Sequence, residues 1–443
     1  MRAPEELAMR IVELVGDRGD AEATVTATTT GLTRFANSFI HQNVAEVGFA
    51  VRLRVAREGR VASANSTTVT EKGLRTLVED TLEIAALQPE DEGWTGLRTA
   101  VSVPTGESCD AATAAATPSD RADRVSDFVA AGQGMRAAGY CETTGVTTAF
   151  ANTLGHVAKG RATWASVDGI HQSDAAAGSG HGTAVGLSGV DAAHVGATAA
   201  GRARRGAGAI DAKPGEYEVV LAPEAVASIV MFLSYYGFNG KAHNENRSFA
   251  IVGDDQFDSS VHIFDDGSDE RAIGVPFDTE GTPKRRVVLI DDGLTANLVH
   301  DRRSAGRAGS ESTGHASPRS EIYGPVAQDV FFRGGSVAPD DLVAGVSRGL
   351  YVATFNYCRV LDPKTLVVTG LTRNGTFLIE NGSITDSVTN LRFTQSFVDA
   401  LGPGNVLGIG DDARFADSEF GPAMMHVPSV RLAAWNFTGG ASG

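Results

Sequence analysis

The sequence predicts an α+β protein in which an α/β N-terminal domain, residues 1–209, precedes an antiparallel β-rich C-terminal domain, residues 210–443. Three observations lead there. Helical periodicity and strand-like alternation interleave over the first half of the chain. Beyond residue 250, short strand-like runs are separated by Asp266-Gly267, Asp292-Gly293, Asn374-Gly375 and Asn381-Gly382, the dipeptides of tight hairpins. A length of 443 residues also exceeds what one ordinary core serves, so two or more domains are expected.

In order along the chain, residues 4–16 carry Leu7, Ile11, Leu14 and Val15 at helical spacing. Strand-like stretches over 23–30 and 44–54 flank a turn at Arg34-Phe35-Ala36-Asn37-Ser38, the second alternating through Val47, Phe49, Val51 and Leu53. Thr70 caps a second helix that buries Leu74, Leu77, Val78, Leu82 and Ala85. Pro89, Pro104 and Pro118 mark about 88–118 as a linker. A third helix begins after Ser119, with Val125, Phe128 and Val129 inward, and strands near 141–151 and 156–167 follow. Residues 171–209 are dominated by Gly, Ala and Ser and read either as flexible or as strands with small side chains. Their basic cluster, Arg202, Arg204 and Arg205, reads as a solvated face. From Lys213, a strand through Val219, Val220 and Leu221 leads into a helix opened by Pro223 and Glu224.

Composition excludes several functions. A net charge of −16 opposes non-specific nucleic-acid binding, which needs a cationic surplus. No apolar run is long enough to span a bilayer, and the N-terminus lacks a secretory pattern. Cys109, Cys141 and Cys358 are far apart and form no CxxC, so a cytoplasmic protein without disulfides or a cysteine-rich zinc site is expected. None of the ten His is followed by Glu, and no two are three to five residues apart, so no helical zinc-hydrolase motif exists. The one GxSxG match, Gly345-Val346-Ser347-Arg348-Gly349, precedes a strand-like run and reads as a turn rather than a nucleophile elbow. The pairs Asp254-Asp255, Asp265-Asp266 and Asp291-Asp292 read as turns, and Cys141 and Cys358 as inert buried thiols. No residues form a self-sufficient catalytic set.

Several collinear segments decide the reading. Arg34-Phe35-Ala36-Asn37-Ser38-Phe39-Ile40-His41-Gln42-Asn43 comes first, then Tyr217–Ala225 and Pro276-Phe277-Asp278-Thr279-Glu280-Gly281-Thr282-Pro283. Leu298-Val299-His300-Asp301-Arg302, Ser312-Thr313-Gly314-His315-Ala316, Gly349-Leu350-Tyr351-Val352 and Phe377–Gly382 follow. Together they resemble the TldD/PmbA family, whose fold the chain is then expected to share. In the family's TldD branch an HExxxH helix and a late Cys hold zinc. Aligning that helix here places Met231 and Tyr236 at the two His positions and Phe232 at the Glu, and the last cysteine is Cys358. The chain therefore resembles the PmbA/TldE branch, which lacks the zinc motif.

The resemblance implies a non-catalytic, cytoplasmic subunit with no metal or other cofactor of its own. It would pair as a heterodimer with a TldD-like zinc protease chain, the zinc lying in that partner, and help to enclose unfolded peptides or leader peptides. It leaves a homodimer open. Candidate substrate- or partner-binding residues are Arg34, His41 and Asn43 in the first segment and Arg302, Thr313 and His315 in the later ones; Gly281 and Gly314 are expected to serve the backbone. The competing readings are a free-standing hydrolase acting on a peptide or small conjugate, for example through His41, His243 or His315, and a peptide-binding scaffold without peptidase activity.

Overall fold

Alternation along six strands organises the first lobe. The computed structural model describes residues 2–104, 108–418 and 421–440, the side chains of 421–424 excepted. The strands are β1 (Asp20–Ala36), β2 (Phe39–Arg57), β3 (Arg60–Ser66), β4 (Arg136–Asn152), β5 (Val157–Gln172) and β6 (Ala177–Ala184). They form one antiparallel sheet in the order β3-β2-β1-β4-β5-β6. β1 and β2 run further than expected, turning only at Asn37 and Ser38, both at positive φ.

Odd-numbered residues of β1 and β4 share one face, on which Ala23, Val25, Phe35, Cys141 and Ala149 are buried. Helices α1 (Pro4–Val15) and α2 (Glu71–Leu87) pack over one end of that face. The other end, beyond the short α3 (Ala111–Ala114), is covered by α4 (Pro118–Ala131) and α5 (Ala192–Arg205). The Thr70 cap is the one the sequence indicates, whereas α4 begins earlier than the expected start after Ser119. Thr70 Oγ1 accepts the Gly73 amide, and all five expected α2 residues are buried. α4 starts at Pro118, with Thr117 and Asp120 bonding reciprocally in a capping box.

The stretch 88–118 is strapped to the first lobe. Within it Glu90 pairs with Arg60, Ser108 bridges to Ala162, and Asp110 caps α3; residues 105–107 lie outside the described residues. The Gly/Ala-rich stretch is ordered as β6 and α5. A Cβ on Gly178 would sit 2.3 Å from the Ala199 carbonyl oxygen, and one on Gly180 2.2 Å from that of Val195. Small residues thus let helix and strand touch backbone to backbone. The solvated reading of the basic cluster holds for Arg204 and Arg205 and fails for Arg202, which is buried.

The second lobe contains two sheets. Its strands are β7 (Gly215–Leu221), β8 (Ile263–Asp265), β9 (Val287–Asp291), β10 (Leu294–Thr295), β11 (Val330–Phe332), β12 (Arg348–Asp362) and β13 (Val367–Glu380). β14 (Ser383–Ser387), β15 (Leu391–Ser396), β16 (Val406–Ile409), β17 (Arg414–Ser418), β18 (Gly421–Val427) and β19 (Val430–Gly440) complete them. Pairings β12-β7-β19-β15-β13 return to β12, closing a five-stranded barrel flanked by β14 and β16. Phe355, Phe393, Phe397 and Trp435 fill it, with Phe355 stacked on Trp435 at 5.0 Å. The other sheet runs β10-β9-β8-β11-β18-β17. Pairing is mostly antiparallel, as expected, with parallel pairs at β7–β12 and β11–β18. Gly345–Gly349 is the turn into β12, so Ser347 is no nucleophile elbow. Helix α6 (Pro223–Phe232) packs against β12 of the barrel and against β17 and β18 of the other sheet, and α7 (Gly240–Asn244) packs against α8 (Arg302–Ala308). No helix among the described residues is long and apolar enough to cross a membrane.

A buried charge quartet joins the lobes. Glu22 on β1 and Arg54 on β2 meet Glu280 and Arg302 of the second lobe. Arg54 pairs with Glu22 and donates to Glu280 at 2.8 Å; Arg302 donates to Glu22 at 2.6 Å and to Glu280 at 3.0 Å. Trp94 stacks beside both guanidinium groups, and Arg302 also donates to the Gly96 carbonyl at 2.7 Å. Gly281 has φ +70°, and its Cβ would strike Phe150 at 2.5 Å; its carbonyl contacts His156 Nε2 at 2.7 Å. Gly314, at φ +82°, likewise has no room for a Cβ, so both glycines serve the backbone as expected.

Burial alone would raise the Glu280 carboxyl, but Arg54 and Arg302 outweigh it and hold it at about 2, below its ordinary 4.5. A depressed folded value stabilises the protein above the unfolded value and loses that contribution as pH falls towards 2. Glu280→Gln, leaving two buried arginines with one carboxylate, is expected to cost about 3–5 kcal/mol at pH 7 by urea unfolding. The gap between wild type and variant should narrow from pH 4.5 downwards.

Candidate functional site

A cleft of 240 Å³ lies between the lobes, on the sheet face opposite the helices. Asp168 on β5 and His181 on β6 are direct cross-strand partners, so their side chains leave the sheet together. The same row runs back through Tyr140 on β4 to Arg34 on β1. Opposite them stand Asp417 on β17 and, on α6, Glu224 and Ser228. Arg202 reaches in from α5.

Two sets of charges share this cleft. Glu224 is held by Arg414 at 3.0 Å and Arg202 at 3.4 Å, and Arg202 also donates to the Ser179 carbonyl at 2.9 Å. Burial would raise the Glu224 carboxyl, but the two arginines win and keep it at about 2. Such a carboxylate is fully engaged and unsuited to act as a general base. In the second set, His181 Nδ1 lies 3.4 Å from Asp168 and 3.7 Å from Asp417. Burial pushes Asp417 up to about 6; Asp168 and Glu224 add to the rise, and His181 opposes it. Burial works against protonation of His181, yet Asp168 and Asp417 outweigh it and raise the imidazole.

The helix expected to hold zinc in the catalytic branch starts from this cleft. Glu224, Ser228 and Met231 lie at i, i+4 and i+7 along α6. Beyond Phe232 the helix widens into a π turn, Leu233–Gly237, closed by the Phe238 amide on the Leu233 carbonyl. The i→i+5 pattern of such a turn favours proximity of positions five apart, which is the spacing of 231 and 236. The side chains there do not fit zinc. Phe232 is buried and stacks on Tyr236 at 5.9 Å and against Phe397 at 5.7 Å, and Met231 packs on the same core. Burial raises the Tyr236 phenol, so it stays protonated. A thioether, a phenyl ring and a neutral phenol supply neither that zinc set nor its base.

The remaining candidates fall in separate places. Arg34 is exposed on the cleft row, two strands from Asp168. His41 is exposed at the β1–β2 bulge, and Asn43 accepts from Thr33 at 2.6 Å on the helix-bearing side. Arg302 belongs to the quartet, twelve β1 residues (roughly 40 Å) from Arg34. Thr313 and His315 are buried, with His315 bonded to Asp265 at 2.7 Å and to Thr313 at 2.8 Å. Asp265 is therefore no turn residue: it ends β8, accepts the Gln328 and Asp329 amides, and is kept low by His315 against its burial. Asp254-Asp255 and Asp291-Asp292 do lie at turns, and Cys141 and Cys358 are both buried and outside any disulfide among the described residues. Burial raises the Cys141 thiol to about 12, leaving it inert.

Asp168, Glu224, Arg414 and Asp417 escaped sequence reasoning. His181 was visible only as one scattered histidine among glycines. Cross-strand pairing and lobe docking bring these residues together across 249 positions of sequence (417 − 168), and no local spacing records that.

This architecture, a six-stranded sheet docked on a second lobe with two sheets of its own, defines a two-lobed protein of the α+β class. The profile of the PmbA/TldA metallopeptidase C-terminal domain matches residues 214–439. The chain belongs to the TldD/PmbA family. It is 24% identical over 237 residues to a metalloprotease TldD homolog of Buchnera aphidicola, covering 50% of this chain and 48% of that protein. It is 23% identical over 207 residues to a metalloprotease of Methanocaldococcus jannaschii, covering 43% and 44%. The matches thus span about half the length of these curated relatives. In structure the chain is similar to TldE from Thermococcus kodakarensis, with TM-score 0.86, 17% identity and coverage of 99% and 100%. It is also similar to a putative modulator of a DNA gyrase from Thermotoga maritima, with TM-score 0.82, 16% identity and coverage of 98% and 100%. At these identities the structural likeness establishes the fold.

Removing one member of the buried Glu224 cluster should be costly. Arg202→Met is expected to destabilise the protein by about 3–5 kcal/mol in urea unfolding, whereas Arg202→Met with Glu224→Met and Arg414→Met should recover most of that loss.

Proposed function

We propose that this chain is a non-catalytic, TldE/PmbA-like subunit that pairs with a TldD-like zinc metalloprotease chain. In that heterodimer it helps to enclose and bind unfolded peptides or leader peptides, which the partner hydrolyses with its own zinc. The observation that carries this reading is the helix at 231–236: its course suits a metal-binding turn, while Met231, Phe232 and Tyr236 pack as apolar side chains. The family relationship supplies the metalloprotease context. Extended peptide can be held by strand addition at a sheet edge, which uses backbone groups and needs few distinctive side chains. The edge strand β6 beside the cleft is suited to that role.

The test compares the lone chain with the chain co-purified with a TldD-like protein of the same genome, using an unstructured peptide. Hydrolysis is expected only in the complex, with the lone chain at least about 10²-fold slower. Cleavage by the lone chain at the complex's rate would overturn the reading. Peptide binding without hydrolysis in either preparation would favour a scaffold instead.

A further inference from the structure

His181 is held in an orientation that the subunit reading does not use. Its side chain is 4% exposed, and its Nε2 lies 2.9 Å from Thr183 Oγ1, itself 2.8 Å from Ser166 Oγ. Two carboxylates face Nδ1, and their charge is met either by a proton on that nitrogen or by a cation held between the three groups. The separations of 3.4 and 3.7 Å are long for charge-assisted hydrogen bonds, which run about 2.7–2.9 Å. They suit two ligands of one ion: a tetrahedron whose vertices lie about 2.0–2.1 Å from its centre has edges of about 3.4 Å.

Two further observations point the same way. One ligand atom from each of Asp168, His181 and Asp417 lies within 4.8 Å of the others, and the second Asp417 oxygen, Oδ1, is buried with no hydrogen-bond partner among the described residues. The nearby arginines do not fill the cation's place, because Arg202 and Arg414 are directed at Glu224.

The geometry points to a divalent-cation site, suited to zinc, formed by Asp168 and His181 of the first lobe with Asp417 of the second. Thr183 and Ser166 orient the imidazole from behind, as outer-shell groups do at metal sites. An ion there clips the cleft walls together and keeps a fourth position open to water or to a ligand oxygen. The site stands whether or not the chain is a silent subunit, and its test needs no peptidase activity.

The full chain, stripped with chelator and dialysed, is titrated with Zn²⁺ by calorimetry, and bound metal is counted by mass spectrometry. One equivalent is expected, with a zinc-dependent rise in Tm. Asp417→Asn and His181→Gln should each weaken binding at least about tenfold and abolish the rise. His262→Ala, which disrupts the separate His262, Asp291 and Asp292 group, should change nothing. Tm without zinc reports whether each variant folds, and Asp168→Asn, at a more exposed position, replaces any that does not. Absence of saturable binding, binding that persists in the folded ligand variants, or loss of binding in His262→Ala would each overturn the proposal.

Discussion

The relative placement of the two lobes depends on four buried charges. Glu22 and Arg54 leave the first sheet on its even-numbered face; Glu280 comes from a loop of the second lobe and Arg302 from the first residue of α8. Each acid is shared by both arginines, Glu321 lies further off at 3.8 Å from Arg54, and the Trp94 ring lies beside both guanidinium groups. Buried ions are costly to desolvate, so such a quartet tolerates only one docking geometry. That makes it an orienting device more than a source of net stability. The motif residues Glu280, Gly281 and Arg302 have their roles here, at the joint.

Once the lobes are docked, the sheet's period of two divides its labour. Odd-numbered side chains of β1 and β4 bury against four helices, and the opposite face looks towards the second lobe. One lateral row on that face, Arg34, Tyr140, Asp168 and His181, ends against Asp417 on β17. Charge pairing then sorts the cleft. Glu224 is neutralised by two arginines, whereas Asp168 and Asp417 share a single histidine. Burial raises Asp417, and the nearby Asp168 and Glu224 carboxylates add to the rise against the opposing effect of His181.

The α6 helix runs from the charged cleft into the aromatic core of the second lobe. Beyond it the π turn at Leu233–Gly237 follows directly on Phe232, which packs with Tyr236 and Phe397. A widened turn is a backbone feature, and here an aromatic core surrounds it.

Much of the local structure was legible in the sequence by itself. The amphipathic spacing of α1 and α2, the Thr70 cap, the turn glycines Gly281 and Gly314, the missing zinc donors and the family resemblance all depend on residues close together in the chain. Such features report local backbone and side-chain preferences, which sequence spacing records directly. Tertiary structure alone decided the rest: the burial of Arg202 and Asp265, the quartet, and the meeting of Asp168, His181 and Asp417. Their physical reason is common. A charge in an interior is defined by its partners, and those partners arrive through strand pairing and lobe docking over distances that no sequence window contains.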